Sequence, residues 1–147
     1  MVLIEHGSRG LIQTNVTANP KLNWAYQQIR EAIPSDHKYR YLLHDRDCIF
    51  SSAFDKTIMI LGIKPIKIPR QNPKANAICE RVIGTSKREC LDYVIPLSER
   101  YSRKVLKFWV THHNRSRPHS AIGSDIPSRV TKPSTIVVRL PHPQSED

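Results

Sequence analysis

Two carboxylates stand where chemistry would be expected. Asp45 closes the run Tyr41-Leu42-Leu43-His44-Asp45-Arg46, a short apolar stretch that ends abruptly in charge. A buried strand has this look when it delivers an acid to the edge of a sheet. Glu80 lies inside Asn76-Ala77-Ile78-Cys79-Glu80-Arg81-Val82-Ile83-Gly84-Thr85-Ser86-Lys87-Arg88-Glu89, which reads as a helix, and 34 residues separate the two acids. One acid at a strand end and one on the following helix suit oxygen ligation of a divalent cation, and so metal-assisted phosphoryl or hydrolytic chemistry. Glu80, Gly84 and Lys87 share a helix face by their i, i+4, i+7 spacing. That face reads either as a site, with Lys87 meeting a phosphate, or as ordinary solvated surface. Asp47 is a lesser alternative to Asp45, because it falls in the loop beyond the strand.

The elements that must position these acids can be placed along the chain. Val2 to Val16 reads as a hairpin around Gly7 and Gly10. Asn19 is expected to cap a helix with Pro20 at its first position, and Leu22, Ala25, Tyr26, Ile29, Ala32 and Ile33 recur at helical spacing up to Pro34. Tyr39 to Leu43 is the next strand. Ser51 or Ser52 caps a helix with Phe54, Ile58 and Leu61 inward, stopped by Gly62. Ile63 to Ile68 is a short strand, assigned to an edge by Pro65. Ser98 caps a further helix, on which Tyr101, Val105, Phe108, Trp109 and His112 are expected to face the sheet. Arg100, Arg103, Lys104 and Lys107 form a basic stripe on that helix, open to reading as a phosphate-binding or a plain solvated face. After Pro127 the composition changes, so residues 1–127 are expected to form the domain and 128–147 a tail or the stub of a following strand, with a β-prone run at Thr135-Ile136-Val137-Val138.

Composition narrows the partner. The chain has 147 residues, about one domain, and 23 Lys plus Arg against 13 Asp plus Glu, a formal charge of +10. That excess calls for an acidic partner, nucleic acid before a membrane surface. No stretch is long and apolar enough to span a bilayer. Cys48, Cys79 and Cys90 have no CxxC spacing and read as reduced thiols of a cytoplasmic protein. His112, His113 and His119 likewise lack the spacing of a structural zinc site.

His44-Asp45-Arg46, the interval to Glu80, the segment Glu80 to Glu89, and His113-Asn114-Arg115-Ser116-Arg117-Pro118-His119 with Ile122-Gly123 and Pro127 together resemble the catalytic core of DDE-type integrases and insertion-sequence transposases. The likeness covers roughly residues 2 to 127. It implies an α/β, ribonuclease H-like mixed sheet flanked by helices. It also implies phosphoryl transfer on DNA ends with two magnesium (or manganese) ions, and a DNA partner with further transposase subunits in a homo-oligomer. Asp45 and Glu80 would be catalytic metal ligands. Lys87 would position DNA, and Arg70, Lys74, Arg88, Arg103 and Lys107 would add to the DNA-binding surface. Pro69 to Lys74 would be a mobile loop touching DNA, though on its residues alone it reads equally as a solvated connector.

The resemblance implies a third acid on an earlier strand. The segment from Val2 resembles the family's second strand, and Glu5, Glu31 and Asp36 lack the required context. The expectation is therefore a core truncated at its N-terminus and lacking its first strand, with unpaired strand edges between the hairpin and the Asp45 strand. It would be an inactive core fragment, or alternatively a non-catalytic DNA-binding module.

Overall fold

In a computed structural model, the structure describes residues 1–69, 73–95, 98–129 and 135–139, without the side chains of 73–76 and 129. Five short strands form a mixed sheet in the order β2-β1-β5-β3-β4. β1 (Val2–Glu5) and β2 (Leu11–Thr14) make the expected antiparallel hairpin. β3 (Tyr41–His44) and β4 (Lys64–Lys67) run parallel, joined by α2 (Ser52–Ile60). β4 is the edge strand, as Pro65 requires, and exposed Lys64 and Lys67 discourage pairing with another chain there.

The position between the hairpin and β3 is held by β5 (Thr135–Arg139), antiparallel to β1 and parallel to β3. The open strand edges expected there are therefore absent. The β-branched run Ile136-Val137-Val138 is fully buried and paired on both sides, the setting in which such residues are strongest strand formers. Burying those three side chains is worth roughly 4.5–9 kcal/mol, on the scale of a whole domain's stability.

Strand side chains alternate between two apolar layers. Leu3, Leu42, Ile136 and Val138 pack with Ala25 and Ile29 of α1 (Leu22–Ala32) and with Phe54 and Ile58 of α2. Val2, Ile4 and Val137 face the opposite side, against Cys79 and Val82 of α3 (Pro73–Glu89) and Trp109 of α4 (Glu99–Arg115). Both faces of the sheet are thus covered, which explains why β1 is buried at all four positions.

Two helix assignments are corrected. α1 begins at Leu22 with Lys21 as its N-cap, not at Asn19-Pro20. The segment before it is held elsewhere: the Ala18 N–H donates to Glu99 Oε1 at 2.6 Å and the Asn19 N–H to Thr17 Oγ1 at 3.3 Å. On α4, the buried residues are Leu106, Trp109 and His113, while Phe108 is 69 % exposed and Tyr101 40 %. The helix is rotated by about one position from the expected stripe. Its C-terminal polar residues set that rotation. Asn114 accepts from the Leu11 N–H at 2.8 Å and donates to the Leu11 carbonyl at 2.9 Å, and His113 Nε2 reaches the Arg9 carbonyl at 3.2 Å. Ser98 caps the start as expected, accepting from the Tyr101 N–H at 3.1 Å.

Candidate active site

Asp45 follows directly on β3, and its position is fixed by its neighbour. The buried His44 ring donates from Nδ1 to the Asp45 carbonyl at 2.8 Å and contacts Asp55 Oδ1 of α2 through Nε2 at 2.9 Å. Lys67 of β4 lies 3.1 Å from the second Asp55 oxygen. Phe50 and Phe54 close around the imidazole. Asp47 has another task. Its Oδ1 accepts from the Ile49 N–H at 2.9 Å, capping the turn, and its own N–H points to Asp45 Oδ1 at 3.3 Å.

Glu80 projects from α3 above the same end of the sheet. The two acids meet at one side chain, Arg139 of β5. Arg139 Nη1 donates to Glu80 Oε1 at 2.5 Å, and its Nε lies 3.9 Å from Asp45 Oδ2. The geometry of β5 dictates this meeting. Arg139 pairs with Val2 and is one residue beyond Val138, the partner of His44, so its side chain emerges beside Asp45. Cys79 lies beneath the group, its Sγ directed at the Val137 carbonyl at 3.9 Å. Burial pushes the Cys79 thiol up to about 12; Arg139 opposes that shift, while Asp45 and Glu80 reinforce it. An inert thiol is the result, with no nucleophilic role at neutral pH.

Lys87 stands two turns beyond Glu80, about 10 Å along the helix. It is exposed and lines a groove with Met1, Val2, Asn15 and Trp109, on the side of the sheet where Val2 pairs with Arg139. At Gly84, an added Cβ would meet only the tip of Arg88, Nη1 at 3.2 Å, so the fold itself does not demand a glycine there. Arg88 and Lys107 are exposed. Arg103 is engaged within the molecule, to Glu99 Oε2 at 2.7 Å and to the Val16 carbonyl at 3.3 Å. Arg70 lies outside the described residues, as does the side chain of Lys74.

Integrase cores generally use divalent metal ions. The residues as arranged do not fit a metal pair: a guanidinium lies against both carboxylates and offsets one of their two negative charges. Among the described residues no group of three or more His, Cys, Asp or Glu gathers to hold an ion. Among those residues, too, no helix is long and apolar enough to cross a membrane. Arg139 escaped the reading of the sequence because it sits in a segment taken for a tail or the stub of a following strand, with no place in the sheet assigned to it. The available signal was the β-branched run before it.

Residues 61–127 match the family model described as Integrase core domain, a span that contains Glu80, Lys87 and the His113–Pro127 motif. This supports an integrase or transposase catalytic core, and the mixed five-stranded α/β sheet is consistent with its ribonuclease H-like fold. A comparison with curated proteins finds no match.

Proposed function

We propose that this chain, with integrase core sequence over residues 61–127, serves DNA transposition or integration as a core that grips DNA and does not cut it alone. One observation carries the reading: Asp45 and Glu80, far apart in sequence, converge on a single point at the end of the sheet. Convergent carboxylates on the face that also carries an exposed lysine suit polynucleotidyl transfer: in an intact core Asp45 and Glu80 would hold divalent cations, which would supply activation of the attacking oxygen. Asp45 and Glu80 are the proposed catalytic and metal-binding residues of the intact core, held by Arg139 in this chain, and Lys87, Arg88 and Lys107 are the proposed DNA contacts. DNA is the proposed partner, together with further subunits of the same kind.

Arg139 supports an inactive core over an active one. Two cations held close together need several negative oxygens to offset their repulsion, and here the two carboxylates face a fixed positive charge instead. The same observation favours the second reading, a non-catalytic DNA-binding module. Incubation of the chain with labelled duplex DNA and magnesium or manganese tests the proposal. Retarded but intact DNA is the expected result. Robust metal-dependent cleavage or strand transfer, abolished by Glu80→Gln, would overturn the inactive assignment, and failure to bind DNA at low salt would overturn both readings.

A further inference from the structure

A cavity of about 340 Å³ lies between α3, the end of α4, the loop that follows it and the β1–β2 turn. It is within the size range of small-molecule sites. Arg9, Arg81 and Arg117 line it, with His113, His119 and Thr85. Three polar atoms in its wall are shielded from solvent and have no hydrogen-bond partner among the described residues: Arg9 Nη1, His113 Nδ1 and His119 Nε2. His113 is itself 1 % exposed. Buried polar atoms left unpaired are costly, and their clustering around a cavity marks a place where a ligand would supply the partners.

Arg9 adds an independent sign. Its backbone is left-handed, φ 63°, a conformation that glycine adopts freely and arginine does not. The turn is closed by the Glu5 carboxylate, which accepts from the Gly7 and Ser8 N–H groups at 2.9 and 2.6 Å. Nothing in that closure uses the arginine side chain. A left-handed non-glycine residue that lines a cavity and leaves its buried Nη1 without a hydrogen-bond partner among the described residues is a feature of binding sites.

The charges around the cavity are unbalanced. Arg117 pairs with Glu89 at 2.7 Å, and among the described residues neither Arg9 nor Arg81 has an ion-pair partner. Burial disfavours the charged form of His119, and the Arg117 and Arg9 charges act in the same direction.

We infer that this cavity binds a phosphate group, as carried by a small phosphate ester of nucleoside monophosphate size or by the terminus of a DNA strand. Arg9 and Arg81 would hold the phosphate oxygens, and His113 Nδ1, with Nε2 turned to the Arg9 carbonyl, would accept a hydrogen bond from a ligand hydroxyl or amine. The site is separate from the Asp45–Glu80 pair and stands or falls independently of the integrase reading.

NMR titration of the full chain tests it, with inorganic phosphate, a deoxynucleoside 5′-monophosphate, the matching nucleoside, and a short oligonucleotide with or without a 5′-phosphate. Saturable shifts are expected at Gly7–Gly10 and Arg117–Ser120 with the phosphorylated probes, and none with the nucleoside. Arg81→Gln, at an exposed helical position that the fold tolerates, should weaken binding about tenfold, as should Arg9→Gln. Lys56→Gln on the far helix α2 should leave it unchanged. Response to the monophosphate would identify a small-molecule source, and response to the 5′-phosphorylated oligonucleotide alone a DNA terminus; either supports the inference. Absence of saturable shifts with every phosphorylated probe, or binding undiminished by Arg81→Gln, would overturn it.

Discussion

The Arg139 guanidinium donates to Glu80 Oε1 at 2.5 Å while its Nε stands 3.9 Å from Asp45 Oδ2, so one side chain from the central strand joins the two acids. Glu80 is 54 % exposed in this pair. An ion pair in that setting contributes under about 1 kcal/mol to stability. Its importance is electrostatic and local. A fixed cation pairs with the two carboxylates that the integrase reading assigns to metal binding.

Removing that cation should uncover a metal site. Arg139→Ala is expected to leave the fold intact, because Ile136, Val137 and Val138 supply the burial in β5. The variant should bind manganese measurably more tightly than the parent, with the gain lost again in Arg139→Ala/Glu80→Gln. Electron paramagnetic resonance of free manganese reads this directly. Thermal unfolding provides a second readout, since an ion at 100 times its Kd stabilises by about 2.7 kcal/mol. Arg139→Asp should bind more tightly still. Equal manganese affinity in parent and Arg139→Ala would show that the guanidinium does not block the acids.

The rotation of α4 makes a sharp pair of stability expectations. Trp109 is 6 % exposed against Val2, Ile4 and Val137, whereas its neighbour Phe108 is 69 % exposed. Trp109→Ala should cost about 3–5 kcal/mol. Phe108→Ala should stay within about 0.5 kcal/mol of the parent. Urea denaturation of the two variants distinguishes this helix orientation from the one that the apolar stripe suggests.

That pair also shows what was legible and what was not. Residues at 101, 105, 108, 109 and 112 and residues at 106, 109 and 113 both make helical stripes, and both include Trp109. Apolar spacing favours the first. The second wins because His113 and Asn114 fasten to Arg9 and Leu11, contacts 103 and 104 residues apart that no local pattern reports. The hairpin, the Asp45 strand, the edge strand at Pro65 and the Ser98 cap were readable because each is set by local residues. The place of β5 was not, because a five-residue β-prone run does not say which strands it will join. Arg139 was hidden for the same reason: its role comes from a pairing register, not from its neighbours in sequence. Asp45 and Glu80 could be picked out as candidates, yet only the fold brings them to one guanidinium.

Acid should loosen the α4 end of the molecule. Burial lowers the His113 pKa to about 4 from its ordinary 6.5, with His119 and Arg117 adding to the shift and the Arg9 carbonyl and Glu89 opposing it. Between pH 6.5 and 4 the unfolded chain binds a proton at this position that the folded chain does not. Stability from neutral His113 is therefore complete above pH 6.5 and falls as pH drops through that window, by at most about 1.4 kcal/mol per unit. His119 is lowered too, chiefly by burial, and acts in the same sense. Denaturant midpoints measured from pH 7 to pH 4.5 should decline, and His113→Gln should flatten the curve. An unchanged slope in that variant would assign the acid sensitivity elsewhere.

DNA affinity should be sensitive to salt and insensitive to sequence. Phosphates neutralised by lysine and arginine release condensed counterions, so log K falls with log salt by roughly 0.9 per contact on duplex DNA. Lys87, Arg88 and Lys107 are exposed and available for such contacts, whereas Arg103 is committed to Glu99 and the Val16 carbonyl. Fluorescence anisotropy over a salt series should therefore show Lys87→Gln and Lys107→Gln each reducing the slope by about one contact, with Arg103→Gln reducing it less. The difference follows from the intramolecular partners, since an arginine must leave Glu99 before it can meet a phosphate. If Arg103→Gln weakened binding as much as Lys87→Gln, the Arg103–Glu99 pair would have to open on DNA. A salt-independent affinity would remove the phosphate backbone as the partner altogether.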